Sequence, residues 1–473
     1  MHSVYLISLG CDKNRVDGEV MVGTLISAGF DVLDEPHEAD AIIINTCGFI
    51  AEAVKESIDM VLTMADYKKD GDCAALIVVG CMAERYREQM NQDMPEIDLI
   101  IGVGEYENIA DEVAKLIGRP KRVKQHIAED PYLARLAARP SDAIKHIAYV
   151  KVSEGCDNMC TYCAIPAIRG SYRSREMDNV LAECKLLIET GAKEIVLVAQ
   201  DTSLYGTDIY GEKRLPDLIK EIANLNVAGI EDIWIRLMYV YPEHITDELI
   251  DVMASVPQVC HYLDMPIQHS ENNILAAMNR GGSKDALIAV IAKLRKAMPD
   301  IALRTTLMVG FPGETDADFE AMFDFVAAQK FDRMGVFPFS QEEGTPAATF
   351  SEQVDEDDKE FRLSRLMELQ QRIHFAKQEA KVGLTLPVMI DEKIDETSFI
   401  ARSMADAYEV DAVVNLKSEL DLKSGNIIDV MITSAQGYDI DAVTVMESNV
   451  GTSKDAANRH IDNKSAKQKR GAQ

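Results

Sequence analysis

The chain has 473 residues, 47% hydrophobic and 27% charged, a balance that excludes a disordered or fibrous polypeptide and accommodates about three domains at ~150 residues each. Lys and Arg total 49 against 79 Asp and Glu, a formal net charge of −30 that disfavours bulk attraction to nucleic acid and favours a basic partner. No apolar run is long enough to cross a membrane and the start, MHSVYLISLGC, lacks the features of a secretion signal. Nine cysteines without such a signal point to a reducing cytoplasm and to metal ligation rather than disulfides.

Residues 1–118 alternate strand and helix. VYLISLG, AIIINTC and AALIVVGC read as strands, followed by helical patterns over 17–29, 50–66 and 83–92. This alternation predicts a doubly wound α/β domain. Each strand runs into a cysteine: Cys11, Cys47 and Cys81. Ligands of such sheets bind beyond the carboxyl ends of the strands, so three thiols delivered there converge on one point. Any one of them alone reads as a buried core residue, and Cys73 precedes a strand, at the opposite end.

Residues 119–141 are basic and alanine-rich and read as a linker. From 142 to 376 the alternation restarts with HIAYVKVS, EIVLVAQ, DIWIRLM, HYLDMPI, LRTTLMVG and RMGVFPFS, separated by helical patterns such as 178–190, 244–254, 284–298 and 315–329. Six βα units predict a partial barrel with its active face at the strand C-terminal ends. Its first loop carries Cys156, Cys160 and Cys163, spaced C-x3-C-x2-C with no fourth cysteine nearby. A closed 4Fe–4S site takes four thiolates, so three leave one iron open, and an open position separates a catalytic metal site from a structural one. A zinc site needs a fourth ligand, and Cys184 falls within a helical pattern. The same rim carries Gln200-Asp201-Thr202, Arg236 to Tyr239, Gln268-His269 and the turn from Gly310 to Glu314, whose glycines permit close backbone approach ahead of a helix starting near Thr315. His269 is a candidate for lining the site and His261 reads as structural. Tyr239 and Tyr241 either pack on a substrate or cap the barrel.

A charged helix over 352–380 closes this region. Within 377–446, LPVMIDEKI, YEVDAVVNL, NIIDVMITS and DAVTVM read as strands of a small OB-like β-barrel. Residues 381–446 hold five Lys/Arg and twelve Asp/Glu, a net of −7 where a nucleic-acid-binding barrel needs a basic face. Residues 447–473 form a basic, polar tail that reads as disordered.

On the two cysteine triplets and on NTCGFI, AQDTSLYG, RLMYVYP, YLDMPIQH, VGFPGET and FPFSQEEGTPA, the chain resembles the radical S-adenosylmethionine methylthiotransferases over residues 2–446. It is more similar to the branch acting on ribosomal protein S-twelve than to the tRNA-modifying branch. The resemblance implies two 4Fe–4S clusters, one held by Cys156, Cys160 and Cys163 and chelating S-adenosylmethionine, the other held by Cys11, Cys47 and Cys81. It implies Gln200, Gly310, Gly313 and Glu314 as residues holding S-adenosylmethionine, and a C-terminal TRAM barrel. The implied activity is methylthiolation of the β-carbon of an aspartate in small-subunit ribosomal protein S-twelve, with an electron donor such as flavodoxin or ferredoxin, in a cytoplasmic monomer without membrane contact. The acidic barrel fits a basic protein substrate and disfavours tRNA, with Asp406, Asp411 and Asp421 as its expected docking charges. The chain departs from the family pattern at Asp12, Gly18, Met238 and Tyr408, where proline, serine, histidine and proline are usual. Two other readings stay open: methylthiolation of a tRNA adenosine, and a non-catalytic iron–sulfur carrier or binding protein.

Overall fold

The computed structural model describes residues 2–118, 146–227 and 232–445, so the expected linker over 119–141 and the basic tail over 447–473 lie outside the described residues. The first unit is built on five parallel strands, β1 (Ser3–Ser8), β2 (Asp31–Leu33), β3 (Ala41–Thr46), β4 (Ala75–Gly80) and β5 (Leu99–Ile101), in the order β2-β1-β3-β4-β5. Both β3 and β4 are buried at every position, as their unbroken apolar runs require of strands covered on two faces. Separate apolar clusters on the two faces confirm the doubly wound arrangement. The edge strands β2 and β5 span three residues each, too few to register as a sequence period. The strand order reverses between β1 and β3, which opens a crevice at their carboxyl ends.

The helix expected over 17–29 spans Asp12–Ser27 instead. Cys11 is its N-cap residue in extended backbone, and the polar first turn, Asp12, Lys13 and Asn14, shows no apolar periodicity because it faces a polar seam with the second unit. The pattern over 83–92 resolves into two short helices, Cys81–Arg85 and Arg87–Asp93.

The second unit opens with β6 (Ile147–Lys151), followed by a short antiparallel ladder of β7 (Ser153–Glu154) and β8 (Arg173–Ser174). Then come β9 (Glu194–Val198), β10 (Trp234–Leu237), β11 (Val259–Asp264), β12 (Ala302–Val309) and β13 (Arg333–Pro338). The six long strands lie side by side in chain order and parallel, the open half-barrel that six βα units predict. A large apolar cluster joins its strands to the outer helices.

The third unit is a closed barrel of five strands, β14 (Thr385–Lys393), β15 (Ser398–Ser403), β16 (Val414–Lys417), β17 (Ile427–Gln436) and β18 (Asp439–Thr444). The four-strand expectation missed β15, whose serine and arginine residues break the apolar alternation. It also placed a strand over 408–416 where only Val414–Lys417 pairs. The stretch between β15 and β16 plugs the open side of the half-barrel: Met404, Ala405, Ala407 and Tyr408 pack with Val196, Val198, Trp234 and Tyr262. Buried ions lock it there. Arg402 pairs with Glu194 and with Asp391 at 2.9 Å, and Arg236 donates to Glu194 at 2.6 Å and to the Met404 carbonyl at 2.8 Å. Asp411 accepts from the Tyr262 hydroxyl and from Arg304 Nη1, both at 2.9 Å, and Asp406 pairs with Arg333.

These contacts correct one expectation. Asp406 and Asp411 do not form a docking face; they are buried and neutralised by core arginines. Of the three charges expected on that face only Asp421, 83% exposed, faces solvent. A charge count along the barrel sequence cannot register cations supplied from another unit. Among the described residues no helix is long and apolar enough to cross a membrane.

Candidate active site

Cys47 and Cys81 directly follow β3 and β4, and Cys11 follows β1 after Leu9 and Gly10, all at the strands around the crevice. The loops approach closely. A Cβ on Gly10 would stand 2.7 Å from Cys47 Cβ and 3.0 Å from its Sγ, and Gly10 has φ +88, so only glycine fits beside the second thiol. Burial, with Cys11 and Cys81 nearby, pushes the Cys47 thiol up to about 11, and burial raises Cys81 against the opposing pull of Arg169. Such thiols become thiolates when a cationic centre takes the place of their protons. Among the described residues no group of three His, Cys, Asp or Glu side chains closes on a single metal ion. The donor chemistry, three thiols on one rim, suits a multi-iron cluster.

The second triplet lies in the loop bracketed by β7 and β8. Gly155, at φ +78, starts it where a Cβ would meet the Ser171 carbonyl at 2.1 Å. Backbone bonds pin the loop from several sides: Cys156 N donates to Gly170 O at 3.1 Å and Thr161 N to Met278 O at 3.0 Å. Asn158 Nδ2 donates to Asp201 Oδ2 at 2.9 Å, and Asn279 Nδ2 to Met159 O at 2.8 Å. Cys156 and Cys160 are buried and Cys163 half-buried. Burial and the neighbouring thiols raise Cys156 to about 11 and Cys163 to about 12. A cavity of about 300 Å³ opens beside the loop, lined by Asn158, Cys160, Tyr241, His244 and Arg280 among others.

The segment that follows Cys163 meets the first unit across one seam, where Cys81 packs with Ala164 and Ile168. Arg169 ends the short helix Ile165–Arg169 that follows Cys163, and its buried guanidinium donates to Cys81 Sγ at 3.3 Å, Asn14 Oδ1 at 2.5 Å, Asp17 Oδ2 at 3.0 Å and Glu154 Oε1 at 3.1 Å. Lys151 pairs with Asp17 and, at 2.5 Å, with Glu154. Burial alone would lift the Glu154 carboxyl, but Lys151 and Arg169 outweigh it and hold it at about 2. A second bridge runs along the rim after β10. The Tyr239 hydroxyl donates to Asp12 Oδ2 at 3.2 Å, beside Cys11, while the Tyr241 hydroxyl lies 4.0 Å from Cys160 Sγ.

The remaining expected site residues fall into two groups. Gln200, at the end of β9, joins the seam: its Nε2 donates to Glu154 Oε1 at 3.0 Å, and its Oε1 is buried without a partner among the described residues. Glu314 instead organises its own turn. Its Oε2 accepts from the amides of Gly310 at 2.6 Å and Phe311 at 3.2 Å, and its Oε1 from Arg362 at 3.2 Å. A Cβ on Gly310 would meet the Lys359 stem at 2.2 Å, while one on Gly313 has only Glu352 nearby, at 3.2 Å. His269 is buried, with Nδ1 accepting from Glu271 N at 3.0 Å, and His261 pairs with Asp300 at the surface at 2.8 Å. Met238 packs in the apolar interface behind the rim.

Comparison with known proteins accords with this arrangement. Residues 150–326 match the radical SAM superfamily, residues 3–102 the uncharacterized protein family UPF0004, and residues 382–445 the TRAM domain. The chain is 47% identical to the ribosomal protein uS12 methylthiotransferase RimO of Desulfitobacterium hafniense, over 92% of this chain and 97% of that one. It is 44% identical to the RimO protein of Clostridioides difficile, over 93% and 98%, and 42% identical to that of Geobacter sulfurreducens, over 92% and 97%. The chain belongs to the RimO family of radical S-adenosylmethionine methylthiotransferases. Among solved structures, the radical S-adenosylmethionine methyltransferase TsrM from Kitasatospora setae, with cobalamin and a 4Fe–4S cluster bound, superimposes with a TM-score of 0.53. At 15% identity over 73% of this chain and 74% of that one, it shares the fold alone.

The RimO motifs in the sequence pointed to the cysteines and the rim but not to what joins them. Lys13, Asn14, Asp17, Lys151, Glu154 and Arg169 carry no signal of their own in the sequence. They read as surface charges until the fold brings residues more than 130 positions apart into contact. The nearest sequence hint was polar side chains in the first turn of a helix placed directly after a cysteine.

Proposed function

We propose that this RimO-family enzyme transfers a methylthio group to the β-carbon of an aspartate in ribosomal protein uS12. In this reading Cys156, Cys160 and Cys163 hold one 4Fe–4S cluster, and Cys11, Cys47 and Cys81 hold the other. When bound, S-adenosylmethionine and the two clusters supply one-electron chemistry at an unactivated carbon and the sulfur to be added. The chain's own residues set the stage. The β7–β8 ladder, the Met278 carbonyl and the Asn279 side-chain amide fix the first cysteine loop, while Gly10 and the crevice strands fix the second triplet. Gln200 and the Gly310–Gly313 turn form the platform for S-adenosylmethionine, with Glu314 shaping that turn from behind. The observation that supports the reading is that two incomplete cysteine sets meet at one seam, where Cys81 packs beside Ala164 and Ile168, just after Cys163, and accepts from Arg169.

A single-electron donor of the flavodoxin or ferredoxin type supplies the reductant, and the enzyme works as a monomer in the cytoplasm. The test is anaerobic purification with iron analysis. About eight irons are expected, falling to about four when either cysteine triplet is replaced by alanine. Incubation with uS12, S-adenosylmethionine and dithionite should then add one methylthio group to an aspartate, read by mass spectrometry. Modification of a tRNA adenosine with uS12 left untouched would reverse the assignment.

A further inference from the structure

Three cations occupy the seam between the cysteine triplets, and two have anions of their own. Arg169 is bound by Asp17 and Glu154, and Lys151 by the same two carboxylates. Lys13 differs. It sits in the first turn of the helix that starts after Cys11, and it is only 7% exposed. Its ammonium lies 2.9 Å from the centroid of the Tyr239 ring. Among the described residues it has no hydrogen-bond acceptor and no carboxylate within ion-pair distance.

The acids closest to it are engaged elsewhere. Asp12 accepts from the Tyr239 hydroxyl at 3.2 Å, and Asp264 accepts from Tyr239 N at 3.1 Å and faces Arg304 at 3.5 Å. The Tyr239 backbone is itself held at φ +59, a conformation uncommon for a residue with a side chain, and this backbone presents the ring beneath the ammonium. An ammonium this little exposed and without an anion in hydrogen-bond reach is costly, and on the seam between the two triplets it marks a place for an anionic guest.

Resting on the function proposed above, we propose that Lys13 receives the side-chain carboxylate of the substrate aspartate and selects aspartate over its neutral isosteres. The chemistry suits this role. The carbon to be modified is bonded directly to the carboxylate, ~1.5 Å away, so a cation that fixes the carboxylate also fixes the reacting carbon. Tyr239 and Tyr241 run from Lys13 toward Cys160, so an aspartate anchored there lies on the rim that links the two triplets.

The test uses the full-length, cluster-loaded enzyme and intact uS12 carrying Asp, Asn or Ala at the target position. The wild-type enzyme should bind the Asp form about 10- to 100-fold more tightly than the Asn form, as expected where a buried charge loses its partner. Lys13→Met should abolish that preference by weakening the Asp form alone, and Lys13→Arg should restore part of it, with iron content and thermal melting as fold controls. Equal wild-type affinity for Asp and Asn, or a preference that survives in Lys13→Met, overturns the proposal. If Lys13→Met loses its iron, the wild-type Asp/Asn ratio and the Lys13→Arg variant decide. A wild-type enzyme that leaves uS12 unmodified under reducing conditions instead refutes the function, whereas one that modifies uS12 while Lys13→Met keeps its preference refutes only the role of Lys13.

Discussion

Replacing Arg402 by methionine isolates the lock between the C-terminal barrel and the half-barrel. Arg402 is buried; it neutralises Glu194 together with Arg236, and it pairs with Asp391, which also lies 3.0 Å from His146 Nε2. Methionine keeps much of the side-chain volume but removes the charge. Two buried carboxylates then share Arg236 and an imidazole, and one negative charge stays uncompensated. Removing one partner of a buried pair costs about 3–5 kcal/mol. At roughly 2–4 °C per kcal/mol for a unit of this size, Arg402→Met should lower the melting temperature by about 6–20 °C. Glu194→Gln in the Arg402→Met background should recover part of the loss, because it removes the stranded charge. Asp421→Asn, at the surface of the same barrel, should change melting by less than about 0.5 kcal/mol. Differential scanning fluorimetry on the four proteins decides the matter. If Arg402→Met melts within a degree or two of wild type, the buried ions are not what holds the barrel, and the attribution to apolar packing alone takes their place.

Gly10→Ala puts a methyl against Cys47 at a positive φ, and should lower iron content by about four per chain while leaving the loop triplet filled, measured by iron analysis. His269 is held neutral by burial, which lowers it to about 3. Its contribution to stability is therefore full above its ordinary value of about 6.5 and is lost as pH falls toward 3. Wild type should lose about 2–3 kcal/mol more than His269→Gln between about pH 7 and pH 4.5, read by chemical denaturation. Exposed barrel acids remain available to steer a basic substrate: Glu419→Lys with Asp421→Lys should slow uS12 association by about threefold at low salt and not at all at high salt, followed by stopped flow.

The order of the three units, all six strands of the half-barrel and both cysteine triplets were legible in the sequence. Unbroken apolar runs such as AIIINT and ALIVVG permit little but a buried strand, and cysteine spacing is a local property. What escaped was whatever depends on pairing across units. The helix after Cys11 was read as starting late because its first turn faces a polar seam rather than an apolar core. β15 was missed because Ser398, Arg402 and Ser403 interrupt its alternation, yet Arg402 is there to meet Glu194. Asp406 and Asp411 were read as solvent charges, since nothing near them in the chain indicates that Arg333 and Arg304 would cover them. Glu314 was read as a residue holding the cofactor, and nothing near it in the chain indicates that its oxygens accept from the Gly310 and Phe311 amides and from Arg362.

The plug between β15 and β16 makes the C-terminal barrel a wall of the catalytic unit rather than an appendage on a tether. Cutting the chain ahead of β14 would take the Met404 carbonyl from Arg236, Asp411 from Arg304 and Asp406 from Arg333. Transplanting a barrel from a relative with a different substrate would succeed only if the recipient's arginines met matching acids. In this lineage, then, a change of clientele and a change in the inner lining of the half-barrel have to be inherited together.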